Sequence, residues 1–187
     1  MYPRLTILFC LCLQTMSHAY EQAFPKTETG TIEVKNIPAA TLIAAQSESA
    51  YFEQNGSLFR PLFRYIQANN ISMTTPVEAE MQPGVMYFYM GSDASNRTLP
   101  TTDTVSVIKM PNRTVLSIGL LGSYSSKNFA RGEARLRDWL SKQNQYTATG
   151  PARGIYWNGP FTVPILKRSE VHIPVAPIKQ IKDRTAD

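Results

Sequence analysis

The sequence predicts an α+β domain of two βαββ repeats, with a curved, largely antiparallel sheet or distorted β-barrel and two flanking helices. Three observations predict it. A strand–helix–strand–strand order of apolar periodicities occurs twice. Each copy holds one amphipathic stripe at helical spacing. Both copies also share a proline-broken phrase at the same point, "IPAAT" at Ile37–Thr41 and "MPNRT" at Met110–Thr114.

In the first repeat, Thr31–Ala45 is strand material broken at Pro38. Ser57–Gln67, "SLFRPLFRYIQ", reads as a helix, because Phe59, Leu62, Phe63 and Ile66 fall at i, i+3, i+4 and i+7. Ser57 is the expected N-cap, and Pro61 is expected in or just past the first turn, where a missing N–H is tolerated. Asn69-Asn70 ends the helix. Two strands follow, Met73–Met81 and Val85–Met90, joined by a turn at Pro83-Gly84. The second repeat runs from Thr104–Leu121, broken at Pro111, into a helix capped by Ser125 or Ser126 and ending near Ser141. Phe129, Gly132, Leu136, Trp139 and Leu140 form its buried stripe. Gly154–Trp157 and Leu166–Val175 are its last strands. The chain divides into a leader over residues 1–19, one domain over 20–176, and a polar tail over 177–187.

The leader has the form of a secretory signal peptide. One arginine precedes "LTILFCLCL", an apolar run too short to span a bilayer, and "SHA" supplies small residues for cleavage after Ala19. The expected location is therefore secreted or periplasmic. Cleavage takes both cysteines, Cys10 and Cys12, so the mature chain is expected to fold without a disulfide. It also takes His18, which leaves His172 as the mature chain's histidine. With Arg4 gone, 18 basic and 14 acidic residues remain, a net charge of +4. No Lys/Arg run is interleaved with aromatics, so no nucleic-acid partner is expected. Sequons stand at Asn55, Asn70, Asn96 and Asn112.

No enzyme signature is present. The mature chain has no cysteine, nucleophile elbow, clustered metal ligands, P-loop or dinucleotide-binding glycine pattern. The residues suited to a ligand are apolar and soft. Met86, Phe88 and Met90 share one strand face, and Met73 lies nearby in the repeat plan; methionines adapt well to a flat apolar ligand. In "SEVHIPV", alternation sets Val171, Ile173 and Val175 on the core face and Glu170 and His172 on the wetter one.

Five stretches carry a family resemblance. "ISMTTPV" (Ile71–Val77) resembles the K-I-x-M-T-x-P-V signature of the SOUL haem-binding family. "IEVKNIPAA" (Ile32–Ala40), "FRPLFRYIQANN" (Phe59–Asn70), "RTVLSIGLLG" (Arg113–Gly122) and "WNGPFTVPILKRSEVHI" (Trp157–Ile173) are similar to four further family stretches, in order. The resemblance implies the fold stated above and the binding of a small hydrophobic or amphipathic ligand, such as haem or a porphyrin. It also implies that Met73–Val77 is the turn between the first helix and the sheet, with Pro76 at a strand start and the Thr74 and Thr75 hydroxyls bonding nearby backbone groups. At the position of the family's proposed axial histidine stands Asn36, which cannot ligate haem iron. Haem is therefore expected to bind without a histidine bond. The candidate ligand-binding residues are Met73, Met86, Phe88, Met90, Glu170 and His172, with no metal site. "SEVHIPV" also looks like the last strand of GyrI-like effector-binding domains. That likeness implies a second reading, a scavenging module for other ligands with Glu170 as acidic anchor. A structural or protein-interaction role is the third.

Overall fold

A computed structural model describes residues 20–159 and 161–178. The leader and most of the polar tail lie outside them. Two helices pack on one face of a curled antiparallel sheet that forms a half-barrel, an α+β fold as expected. The strands are β1 Glu21–Gln22, β2 Ile32–Ile37, β3 Ala40–Gln46, β4 Thr74–Thr75, β5 Val77–Glu80, β6 Val85–Tyr89, β7 Ser106–Met110, β8 Arg113–Leu121, β9 Tyr146–Ala148, β10 Arg153–Tyr156 and β11 Arg168–Pro177. The main sheet has the order β2-β8-β11-β10-β5-β6-β3-β7, with β9 added on β11. The repeats meet where β5 pairs with β10 at its centre.

The shared phrase explains how the sheet curls. β2 pairs with β8 and β3 with β7, and across both pairings the partner numbers add to 150: Ile37 faces Arg113, and Ala40 faces Met110. The four strands are thus one antiparallel ribbon, interrupted where Pro38 and Pro111 stand almost opposite each other. Proline removes a ladder hydrogen bond. There the ribbon leaves one half of the sheet and joins the other, so that opposite ends of the sheet are covalently linked.

Helix α2, Ser126–Ser141, starts where expected, with the Ser125 side chain accepting the Asn128 N–H. Gly132 lets it lie close on the sheet, since a Cβ there would stand 2.8 Å from Val171. Helix α1, Tyr51–Ala68, starts six residues earlier than expected. Ser57 is not its cap; its hydroxyl bonds the Gln54 carbonyl. Pro61 lies mid-helix rather than in the first turn. The buried stripe is Tyr51, Leu58, Leu62, Tyr65 and Ile66, rotated from the expected one, and leaves Phe63 exposed. Asn55 and Gly56 are poor helix formers, but the ring of Tyr51, stacked 5.6 Å from Tyr156, anchors a first turn ahead of them. Tertiary packing outweighs a local propensity of about 1 kcal/mol. Among the described residues no helix is long and apolar enough to cross a membrane.

Candidate functional site

Alternation along each strand gives the sheet two unlike faces. On the helix side, Met86 and Phe88 of β6, and Met90 just past its end, enter the core beneath α1, with Met73 packed against the same cluster. Phe59 of α1 lies edge-on to Phe88 at 5.5 Å. The expected methionine lining is therefore core packing, corrected by the position of α1 directly over that strand face. Val171, Ile173 and Val175 form the matching core under α2.

The concave face carries the chemistry. Glu78 of β5 and Glu170 of β11 point into it, 0% and 1% exposed. Glu78 bonds Arg153 at 2.8 Å, the Arg113 guanidinium and the Tyr89 hydroxyl. Arg153 also reaches Glu80 at 2.6 Å and lies over the Tyr87 ring. Glu170 is saturated. One oxygen accepts the Thr27 N–H at 2.8 Å and the Trp157 indole N–H at 2.7 Å. The other receives Lys35 at 2.7 Å, His172 Nε2 at 2.8 Å, and the Ser117 and Thr27 hydroxyls at 2.9 and 3.1 Å. Sequence reading missed Glu78, Lys35, Arg113 and Arg153. The signal available was Glu78 and Glu80 on one face of β5, where two acids side by side need cations opposite.

His172 lies on the expected face, but that face is not wet. The histidine is 1% exposed because an N-terminal strap, residues 20–31, crosses the concavity. The strap is tied down along its length. β1 pairs in parallel with β4, so the Thr pair of the M-T-T-P-V stretch is the dock for the strap as well as the turn into the sheet. The Thr74 hydroxyl bonds the Tyr89 carbonyl at 2.6 Å, as that stretch implied. Farther on, Gly30 N–H bonds the Gly119 carbonyl at 2.8 Å. Gly119 makes the crossing possible, since a Cβ there would stand 2.3 Å from the Glu28 carbonyl oxygen. Between these ties Phe24 is inserted into the concavity. Its ring lies 5.3 Å from Trp157, 5.6 Å from Tyr89 and 5.8 Å from His172, with the Lys35 ammonium 5.3 Å over its face.

Burial alone would raise the Glu170 pKa. The hydrogen bond from His172, its charge once the ring is protonated at low pH, and Lys35 behind them more than reverse this and hold it at about 2. Glu78 is likewise held below the usual carboxylate range, its burial outweighed by Arg113 and Arg153. Burial pushes His172 below its ordinary 6.5 despite Glu170, so the neutral ring donates its Nε2–H to Glu170 near neutral pH. Its buried Nδ1 has no hydrogen-bond partner among the described residues.

These shifts act in one direction. A histidine depressed in the fold costs stability as pH falls below 6.5, because the unfolded chain binds the proton more readily. The two carboxylates, also depressed, contribute fully above 4.5 and lose their contribution as pH falls further. The melting temperature is expected to be level above pH 7, to decline below 6.5 and to fall steeply below 4.5. A Tm that rises between pH 7 and 5 would contradict this account.

Among the described residues no three His, Cys, Asp or Glu cluster to hold a metal ion. The fit to haem divides accordingly. His172 offers no free Nε2, and Asn36 lies exposed on β2 with its carbonyl accepting the Thr114 hydroxyl. The aromatic and cationic groups around Phe24 fit a flat ring system with acidic edges.

No curated protein matches the chain. Solved structures with the same fold include EcmrR in its DNA complex, 15% identical over 79% of this chain, with a TM-score of 0.64. The chain spans 58% of that EcmrR chain but 98% of the EcmrR C-terminal domain solved separately, at 16% identity and the same TM-score. A hydrolase from Listeria innocua aligns over 80% of this chain and 94% of its own, at 10% identity and a TM-score of 0.54. At such identities the likeness establishes the fold alone. The sequence itself matches the SOUL heme-binding protein family over residues 17–174, and the chain belongs to that family.

Proposed function

We propose that this domain binds a small, flat, hydrophobic or amphipathic ligand of the tetrapyrrole class on the concave face, in the slot that Phe24 fills. The observation that carries the reading is the seating of Phe24 itself. A phenyl ring held edge-on by Trp157 and Tyr89, with Lys35 over its face, marks a slot shaped for a flat apolar group. Lys35 over the ring, and Arg113 and Arg153 on Glu78, are part-exposed, and would take ligand carboxylates by sharing or exchanging their present acidic partners. Haem would supply an iron; the Nε2 of His172 is held by Glu170 and its Nδ1 is buried, so no histidine bond to that iron is expected while the ring stays seated. The chain's role in this reading is binding rather than catalysis.

Titration of the purified protein with haemin, protoporphyrin and a cationic aromatic dye tests the reading. Haemin and protoporphyrin are expected to bind with similar affinity. His172→Ala is expected to leave the haemin spectrum unchanged. A low-spin spectrum abolished by that substitution in a folded protein would make His172 the ligand and invert this account. A second reading, an effector-binding module anchored on Glu170, draws on the cation that Glu170 already receives from Lys35; binding of the dye alone would favour it. Binding of none of the three would leave an interaction role.

We further propose that the protein acts outside the cytoplasm and that its mature chain starts at Tyr20. The intact mass of the secreted protein is expected to lack residues 1–19, and retention of Cys10 and Cys12 would overturn this.

A further inference from the structure

We propose that the loop between β10 and β11 is an interfacial anchor that docks the domain on an anionic lipid surface. Soluble domains seldom expose several large apolar side chains together. Here Phe161 is 99% exposed, Ile165 72%, Leu166 60% and Val163 55%, and Leu121 of the adjoining strand is 48% exposed. The loop is a built structure that presents these groups. Leu166 and Lys167 donate N–H bonds back to Val163 and Pro164, and Gly122 N–H bonds the Lys167 carbonyl at 2.8 Å, which sets Leu121 beside the loop. These bonds pair part of the turn's backbone internally, which lowers the cost of its partial entry into an apolar phase.

The charge around the patch selects the partner. No acidic residue occurs between Trp157 and Ser169. Beside Leu121 an open groove of about 240 Å³ is lined by Lys127 and Arg131 on the exposed first turns of α2. Lys167 extends over the Tyr124 ring at 4.9 Å, and Arg168 pairs with Glu28 at 3.5 Å. Apolar side chains at the tip with cations behind them suit a bilayer interface. The tip enters the headgroup region while lysine and arginine meet anionic phosphates. A neutral protein groove would give those cations no partner. The loop also begins after Trp157 and ends before Glu170, the two walls of the concave slot, so a chain docked by it holds the slot close to the bilayer.

The test is co-sedimentation of the purified protein with phosphatidylcholine vesicles, alone and with roughly a third phosphatidylglycerol, over a salt series. Wild type is expected to partition onto the anionic vesicles, less so as salt rises, and little onto phosphatidylcholine. Phe161→Ser combined with Ile165→Ser removes two largely exposed side chains, so the melting temperature is expected to stay unchanged while partitioning falls at least roughly tenfold. Lys127→Glu with Arg131→Glu is expected to abolish the preference for anionic vesicles. The proposal is overturned if wild type fails to bind, or if either double variant binds as well as wild type. It is also overturned if sedimentation velocity shows a dimer that Phe161→Ser with Ile165→Ser dissolves, since the patch would then cover a second copy of this chain.

Discussion

Glu78→Ala is expected to destabilise the fold by about 3–5 kcal/mol, because it leaves the two guanidiniums of Arg113 and Arg153 without their shared buried carboxylate. The Tyr89 hydroxyl and one edge of Arg153 lose their partner in the same step. Urea denaturation measures the loss, and a cost under about 1 kcal/mol would show that water replaces the carboxylate freely. A second variant separates stability from function. Replacing Glu78, Arg113 and Arg153 together by leucine or methionine removes the fully buried charge with its cations, and leaves short of a partner only the Tyr89 hydroxyl and the part-exposed Glu80, which Tyr87 still bonds. Buried ionic clusters exchanged whole for apolar groups are commonly neutral or stabilising. The triple variant is therefore expected to be close to wild type in stability and to lose affinity for any ligand with acidic edges. That outcome would separate a role in ligand recognition from a role in stability.

The repeat plan was legible in the sequence because it rests on apolar periodicity and on proline breaks, which report directly on backbone geometry. Pro38 and Pro111 marked the breaks, and the structure adds that they face each other across a single ribbon. The start of α1 was not legible. Asn55-Gly56 signals a turn, and nothing local reveals that Tyr51 will stack on Tyr156 more than a hundred residues away. The facing of β11 could be read, since alternation fixes which residues share a face. Its wetness could not, since exposure depends on a strap that pairs with Thr74 and Thr75 from another part of the chain. For the same reason methionines suited to a ligand were indistinguishable from methionines under a helix. Their strand face could be read from sequence, but the element that covers it could not.

The strap is where the largest effect on binding is expected. In the proposed reading Phe24 and a flat ligand compete for one slot, so the measured affinity would be the intrinsic affinity reduced by the fraction of molecules whose strap is lifted. Gly119→Ala raises that fraction without touching the slot. The new Cβ would stand 2.3 Å from the Glu28 carbonyl oxygen and 2.6 Å from that of Thr27, both backbone atoms that only a displaced strap can clear. Overpacking of this kind costs about 1–3 kcal/mol, and here the strain is relieved by lifting residues 20–31 rather than by opening the sheet. Emission from Trp157 is expected to shift to the red as its ring loses Phe24 and its indole N–H loses the shielded Glu170. Affinity for protoporphyrin is expected to rise by roughly tenfold or more. Phe24→Ala tests the same competition from the other side. It costs about 3–5 kcal/mol of stability through the cavity it opens, yet the same cavity is the one a flat ring can refill, so added protoporphyrin should recover most of the lost melting temperature. If Gly119→Ala and Phe24→Ala both bind protoporphyrin no better than wild type, the ligand does not compete with Phe24, and the strap is a permanent part of the core rather than a cover over a binding slot.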